Sequence, residues 1–277
     1  MYRTLMVPPY RYTGEDLRHA YLEGLNLTGA WFTESNLEGA CLKSAQLIKA
    51  DLRNTILSGA DLTRANLTEA LLAGAELLEA KLTLSYLVDT RLDGARLGGA
   101  DLSRLDGRRA SLVGADLTGA NLISAKFERA DFTGATLART YTTPDVPLAL
   151  QSLSGRKPKR GPVAPAIFRQ AQMKNADLSG AMLHNADLRD AEVEGVTWTG
   201  VSLQGARMQF LNLRRANLSG VDLTGADLRG ALLIDADLSR AKLSGAKLDD
   251  AKLWDARLTG ATWDETTTWP SGFRPPR

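Results

Sequence analysis

The chain has 277 residues, 44% of them hydrophobic but only 6% aromatic, with a net charge of +2. That aliphatic content supports a folded core, and the shortage of rings means it must be built from small and medium side chains. A single cysteine, Cys41, excludes an internal disulfide framework, and no segment approaches the ~20 apolar residues of a membrane helix.

In chain order, residues 1–14 come first, carrying +2 and holding Pro8, Pro9 and the tyrosines Tyr2, Tyr10 and Tyr12. They read as an N-terminal cap. They contain no apolar run long enough for a signal-peptide core, and a cytoplasmic protein is expected.

A five-residue beat then runs through 15–139, as in "ADLTGANLISAKFERADFTGA" at 115–135. With the repeat centre as position i, the centres fall every fifth residue from Leu17 to Leu137, giving 25 repeats. Of these centres 21 are Leu, three are Phe and one is Gly107. Ala stands at i−2 in 18 of them, Asp or Asn is frequent at i−1, and Gly at i+2. A helix would scatter every fifth residue around its circumference, and a plain strand would send successive centres to opposite faces. The pattern requires i and i−2 on the same side of a short extended piece, followed by a corner. Gly, Asn, Asp and Ser make such corners at low cost. Four pieces can close into a coil with Leu and Ala inside, and stacked coils then satisfy each other's backbone groups at ~4.8 Å. At "LDGRR" the large and small inward residues are exchanged, Leu105 for Ala and Gly107 for Leu. Interior volume is thereby conserved.

The beat stops once, over 140–165. This stretch contains five prolines, and "RKPKR" at 156–160 places four positive charges together. Proline denies the segment a place in a hydrogen-bonded ladder. A solenoid can expel such a loop from one corner, and a long loop in a compact domain is usually functional or a tether. Arg156, Lys157, Lys159 and Arg160 are therefore candidate contacts for an acidic partner or a phosphate backbone. The beat resumes over 166–265 with 20 centres from Phe168 to Trp263. The tail, 266–277, places Trp269 and Phe273 where they can plug the last coil, with Pro270, Pro275 and Pro276 blocking a further strand.

Repeated A(D/N)LxG resembles the pentapeptide-repeat family, and the likeness covers the two periodic runs. It implies an all-β fold, a right-handed quadrilateral β-helix with four repeats per coil. The repeats here would make about eleven coils and a rod of ~54 Å. Each core Leu→Ala would cost ~2–5 kcal/mol.

The residues offer little chemistry. His19 and His184 are far apart and outward, and both read as solvated surface groups. No cluster of His, Cys and carboxylates has metal-ligand spacing, and no base is placed beside Cys41 or a serine. The recurrent Asp at i−1 reads as a corner-former. No catalytic residue, cofactor or metal is expected, and the chain reads as a non-enzyme. On the outward positions, Leu71, Leu78, Leu84, Tyr86 and Val88 make an unusually apolar stretch and are a second candidate contact surface. Lys242, Lys247, Lys252 and Arg257 form a basic collar near the end, neutralised by neighbouring Asp residues.

Two functions remain. The first is an interaction scaffold, regulatory in character, that holds a protein partner as a monomer or homodimer. The resemblance implies the second, a rod that imitates DNA and protects DNA gyrase from quinolone-type drugs or toxins. The repeat runs carry only −3 and −2, weak for a duplex surrogate, so the scaffold ranks first. Direct nucleic-acid and membrane binding are not expected.

Overall fold

The computed structural model describes residues 10–143 and 164–276. The backbone is a β-solenoid in which each repeat contributes one bridge residue, at i−1, to a parallel ladder. Bridges join residues 20 apart, as in Asp16↔Asn36, Tyr21↔Cys41, Asn26↔Gln46 and Trp31↔Asp51. Four repeats therefore make one turn, and four ladders run along the molecule. They are numbered I to IV here, beginning at Asp16, Tyr21, Asn26 and Arg11 respectively.

Each repeat is held in two ways. Across the coil step, the amide of the centre donates to the next coil (Leu17 N to Asn36 O, 2.7 Å), and the bridge amide returns a bond (Asn36 N to Glu15 O, 2.9 Å). Within the repeat, the centre's carbonyl accepts from the amide three residues on (Ala20 N to Leu17 O, 3.0 Å). Position i+2 of that turn has a left-handed φ, near +55 to +70°, whether it is Gly29 or Lys49. This is the type II corner, and it explains why Gly is the commonest residue there.

The centres and the i−2 residues form one continuous apolar core, in which Leu77, Ala80 and Leu82 are wholly buried. Where Ser or Thr replaces Ala, the hydroxyl bonds a core carbonyl: Thr55 Oγ1 to Phe32 O at 2.9 Å, Thr90 Oγ1 to Leu67 O at 2.7 Å. Buried hydroxyls are thereby satisfied. At the exchanged repeat Leu105 is fully buried. Leu105 does not fill the space alone, however. A Cβ on Gly107 would lie 2.6 Å from Cε1 of Phe127, one coil on, as well as 3.0 Å from Cδ1 of Leu105.

The ladders continue beyond the periodic runs at three places. At the start, Arg11 bridges Trp31, and Tyr12 occupies a centre, stacked on Phe32 at 5.0 Å. At the break, Tyr141 bridges Asn121, with Thr140 and Thr142 buried in the positions of Ala and Leu. That repeat is hidden in the sequence because its centre is polar. Lys126 then bridges Ile167, 41 residues on, so the break holds 21 residues more than one turn. Phe127, Phe132 and Phe168 pack together across this step, with Phe127 and Phe168 stacked at 5.9 Å. At the C-terminal end Lys247 bridges Thr268, a one-residue slip that puts Trp269 at a centre. Over the last coil Trp263 meets Trp269 edge-on at 5.5 Å, and Trp269 stacks on Phe273 at 5.3 Å. Among the described residues no helix is long and apolar enough to cross a membrane.

Candidate functional site

The Asp and Asn side chains at i−1 act inside their own repeats. In Asn26, Asp61, Asp116 and Asp237 a side-chain oxygen accepts from the amide at i+1, at 2.9 to 3.2 Å. Where i+1 is Arg, its guanidinium closes a second, bidentate clamp on the same carboxylate: Arg18–Asp16, Arg53–Asp51, Arg108–Asp106, Arg189–Asp187 and Arg229–Asp227, at 2.6 to 2.9 Å. The clamp holds the Asp16 carboxyl down at about 2, through hydrogen bonds from the Arg18 side chain and amide. At Asp187, which is almost fully buried, desolvation pushes the pKa up. The Arg189 side chain and amide, with Arg207 at 3.9 Å, outweigh it and leave the carboxyl below its ordinary value. Depressed carboxylates of this kind are acceptors locked in the charged form, poor candidates for acid–base work.

Charge also alternates along a ladder. On ladder III the bridge residues run Asp187, Arg207, Asp227, Lys247. The terminal collar fits this scheme: Lys242 reaches back one coil to Asp222 at 3.6 Å. Its neutralising partner is therefore one full turn earlier, because residues 20 apart are the spatial neighbours.

His19 occupies a left-handed corner and lies over Gly39, where a Cβ would meet its Nδ1 at 2.6 Å. His184 is half-buried and hydrogen-bonded, with Nε2 2.8 Å from Ser202 Oγ, so it is not the freely solvated group expected from sequence. Among the described residues no group of His, Cys, Asp or Glu could hold a metal ion. Cys41 is half-buried, its Sγ 3.7 Å from Glu23 Oε2.

The candidate apolar residues are distributed around the rod. Leu71 is a bridge residue of ladder IV, and Tyr86 of ladder III with Val88 beside it. Leu78 flanks ladder I, and Leu84 stands on the corner between ladders II and III. Of these five, Leu84 and Tyr86 are exposed, and Leu71, Leu78 and Val88 are half-buried. Tyr86 and Val88 share one ladder; the others point elsewhere. Arg156, Lys157, Lys159 and Arg160 lie outside the described residues.

Two surface features escaped sequence reading. Among the described residues the most exposed rings are Phe210, Tyr21 and Trp254, at 74, 72 and 68%. A corner rule also operates one coil apart: a side chain at i+2 leans over a glycine in the next coil, as Asn54 over Gly74, Asn175 over Gly195 and Phe210 over Gly230. Comparing positions 20 apart would have found it.

A family model described as "Pentapeptide repeats" matches overlapping segments that together cover 16–139 and 166–264. Among solved structures, HetL, a pentapeptide repeat protein involved in heterocyst differentiation regulation from the cyanobacterium Nostoc sp. strain PCC 7120, is 28% identical. That match covers 91% of this chain and 87% of HetL at a TM-score of 0.35. QnrB1, a plasmid-mediated fluoroquinolone resistance protein, is 13% identical over 92% of this chain and 90% of its own, with a TM-score of 0.30. A pentapeptide repeat protein of the Arabidopsis thaliana thylakoid lumen is 21% identical over 59 and 71%, with a TM-score of 0.18. No curated protein matches the sequence.

Proposed function

The chain belongs to the pentapeptide-repeat family, and from that premise we propose that it is a non-enzymatic scaffold that docks a protein partner in a regulatory role. One observation carries the reading: the polar groups that recur are engaged in their own corners or in ion pairs along the ladders. They do not converge on a pocket, so what is left to act is surface. The rod is taken as a right-handed, four-sided coil of about eleven turns, ~54 Å long. The basic insert, Arg156, Lys157, Lys159 and Arg160, is proposed as the contact for an acidic partner, with Tyr86 and Val88 a lesser apolar contact. The aromatic stack at the C-terminal end favours a monomer, because it covers the edge that end-to-end pairing would use.

Charge weighs against the alternative of gyrase protection by DNA imitation. A duplex of the rod's length would carry about 32 phosphates, whereas the repeat runs carry −3 and −2, and ladder III alternates in sign. Purified gyrase supports the choice if its supercoiling, with or without a fluoroquinolone, is unchanged by micromolar protein. Rescue or inhibition would replace the scaffold reading with protection.

A further inference from the structure

The ladders are interrupted at one coil step among the described residues of the second run. Bridges Glu192↔Asn212 and Thr197↔Asn217, required by the 20-residue register, do not form, while Ser202↔Asp222 and Arg207↔Asp227 on the other side of the same step do. The backbone bonds agree. Leu203 and Met208 donate across the step at 2.7 and 2.8 Å, but the amides of Val193, Gly195, Trp198, Gly200, Asn212 and Asn217 find no partner in it. Core atoms reach solvent there: Val196 is 9% and Ala191 7% exposed, against 0% for Ala171 and Ala176 one coil earlier.

The cause is steric. Every other centre on ladder I is Leu, but Trp198 puts an indole there, flanked by Val196 and Val201 where Ala is usual. Overpacking a close-packed layer forces its backbone apart. The indole Nε1 is itself buried without a hydrogen bond. Parallel bonds are thus missing on ladders IV and I and kept on II and III. Ala191, Val193 and Val196 stay at least nine-tenths buried and Ala216 on the facing lip is partly exposed, so the opening is a slit and not the second ~4.8 Å spacing an added strand would need.

We propose that this step is a joint: the slit opens and closes on ladders I and IV about a hinge formed by ladders II and III, so that 211–276 tilts as a unit against the rest of the rod. Trp198 is the wedge that sets the resting gap. A rod with a joint can adjust its curvature to the surface it docks on, and this holds whether or not the scaffold reading does. Main-chain amides without partners lack the protection that laced amides owe to their hydrogen bonds, and exchange faster.

Native-state hydrogen exchange of the full chain at residue resolution tests the joint. The amides of Val193, Trp198, Asn212 and Asn217 should exchange at least ~100-fold faster than the laced amides of Met173, Leu178, Leu203 and Met208. Equal protection would overturn the joint. Trp198→Leu should slow the fast amides at least ~10-fold; if they stay fast, the indole is not the wedge. Tilting is read from spin-label pairs in a Cys41→Ser background, each pair four coils or ~19 Å apart. Lys174→Cys with Trp254→Cys spans the open side and Arg169→Cys with Asp249→Cys the hinge side. A broader distance distribution on the open side is expected, and equal widths would overturn the tilt.

Discussion

Gly107→Ala isolates the packing logic of the rod, because two opposing effects can be given signs. Gly107 does not have a left-handed φ, so alanine is conformationally allowed there. Through the unfolded state alone the change would stabilise by ~0.4–1 kcal/mol. Sterically, the new methyl would lie 2.6 and 2.8 Å from Cε1 and Cδ1 of Phe127 and 3.0 Å from Cδ1 of Leu105. Neither neighbour is a flexible surface group, since Phe127 also packs against Phe132 and Phe168. Overpacking of this kind costs ~1–3 kcal/mol, so the net effect is a loss, read as a fall of several degrees in Tm at ~2–4 °C per kcal/mol. Phe127→Leu alone should also destabilise, by about 1–2 kcal/mol. Combined, the two changes relieve each other, and the double variant should be better than additive by ~0.5–3 kcal/mol. The assay is chemical denaturation of the four proteins of the cycle. A stabilised Gly107→Ala, or additivity within ~0.5 kcal/mol, would refute the assignment of Phe127 as the group that fills the glycine's space.

Further predictions concern the break, the clamps and the aromatic step. Deleting 145–165 removes the 21 surplus residues, and with Pro144→Gly to permit the positive φ of an i+2 corner, the coil should close with Tm changed by only a few degrees; aggregation or loss of the β circular-dichroism signal would show that the excess is not external to the coil. Asp187→Asn should cost ~1.5–3 kcal/mol at neutral pH, because a charge-assisted bidentate bond is lost from a buried site. The Asp187 carboxyl is depressed when folded. Its contribution is therefore present above the unfolded value near ~3.9 and lost as pH falls through the lower folded value. Wild type and variant should converge in stability on acidification below that range, and a gap that persists would contradict the clamp. Phe168→Ala should cost ~3–5 kcal/mol, measured by the same denaturation, since its ring ties the coils on the two sides of the break.

The core was readable from sequence because it obeys a period: the inward positions i and i−2 follow from it, and volume flags the Leu105–Gly107 exchange but not Phe127, one coil on, which shares the glycine's space. What was not readable depended on a second period. Leu71 and Tyr86 are 15 residues apart and look contiguous, but neighbours in a coil of four repeats are 20 apart, so they stand on different ladders. Lys242 pairs with Asp222 and Phe210 covers Gly230 for the same reason. Thr142 was hidden because a polar centre breaks the pattern without breaking the coil; its hydroxyl bonds His184 O at 3.1 Å. The joint left a trace that sequence reading passed over, Val196, Trp198 and Val201 being oversized together.

That the rod works by holding a partner is tested most directly by quantitative capture from native lysate of the source cells. Wild type should be compared with the variant carrying Arg156→Glu, Lys157→Glu, Lys159→Glu and Arg160→Glu. A discrete partner recovered by the wild type, and at least tenfold less by a variant of unchanged Tm, is the predicted result. Recovery of the same protein by both would contradict the assignment of the basic insert. If the wild type captures nothing beyond a heat-denatured bait, the scaffold reading itself is contradicted.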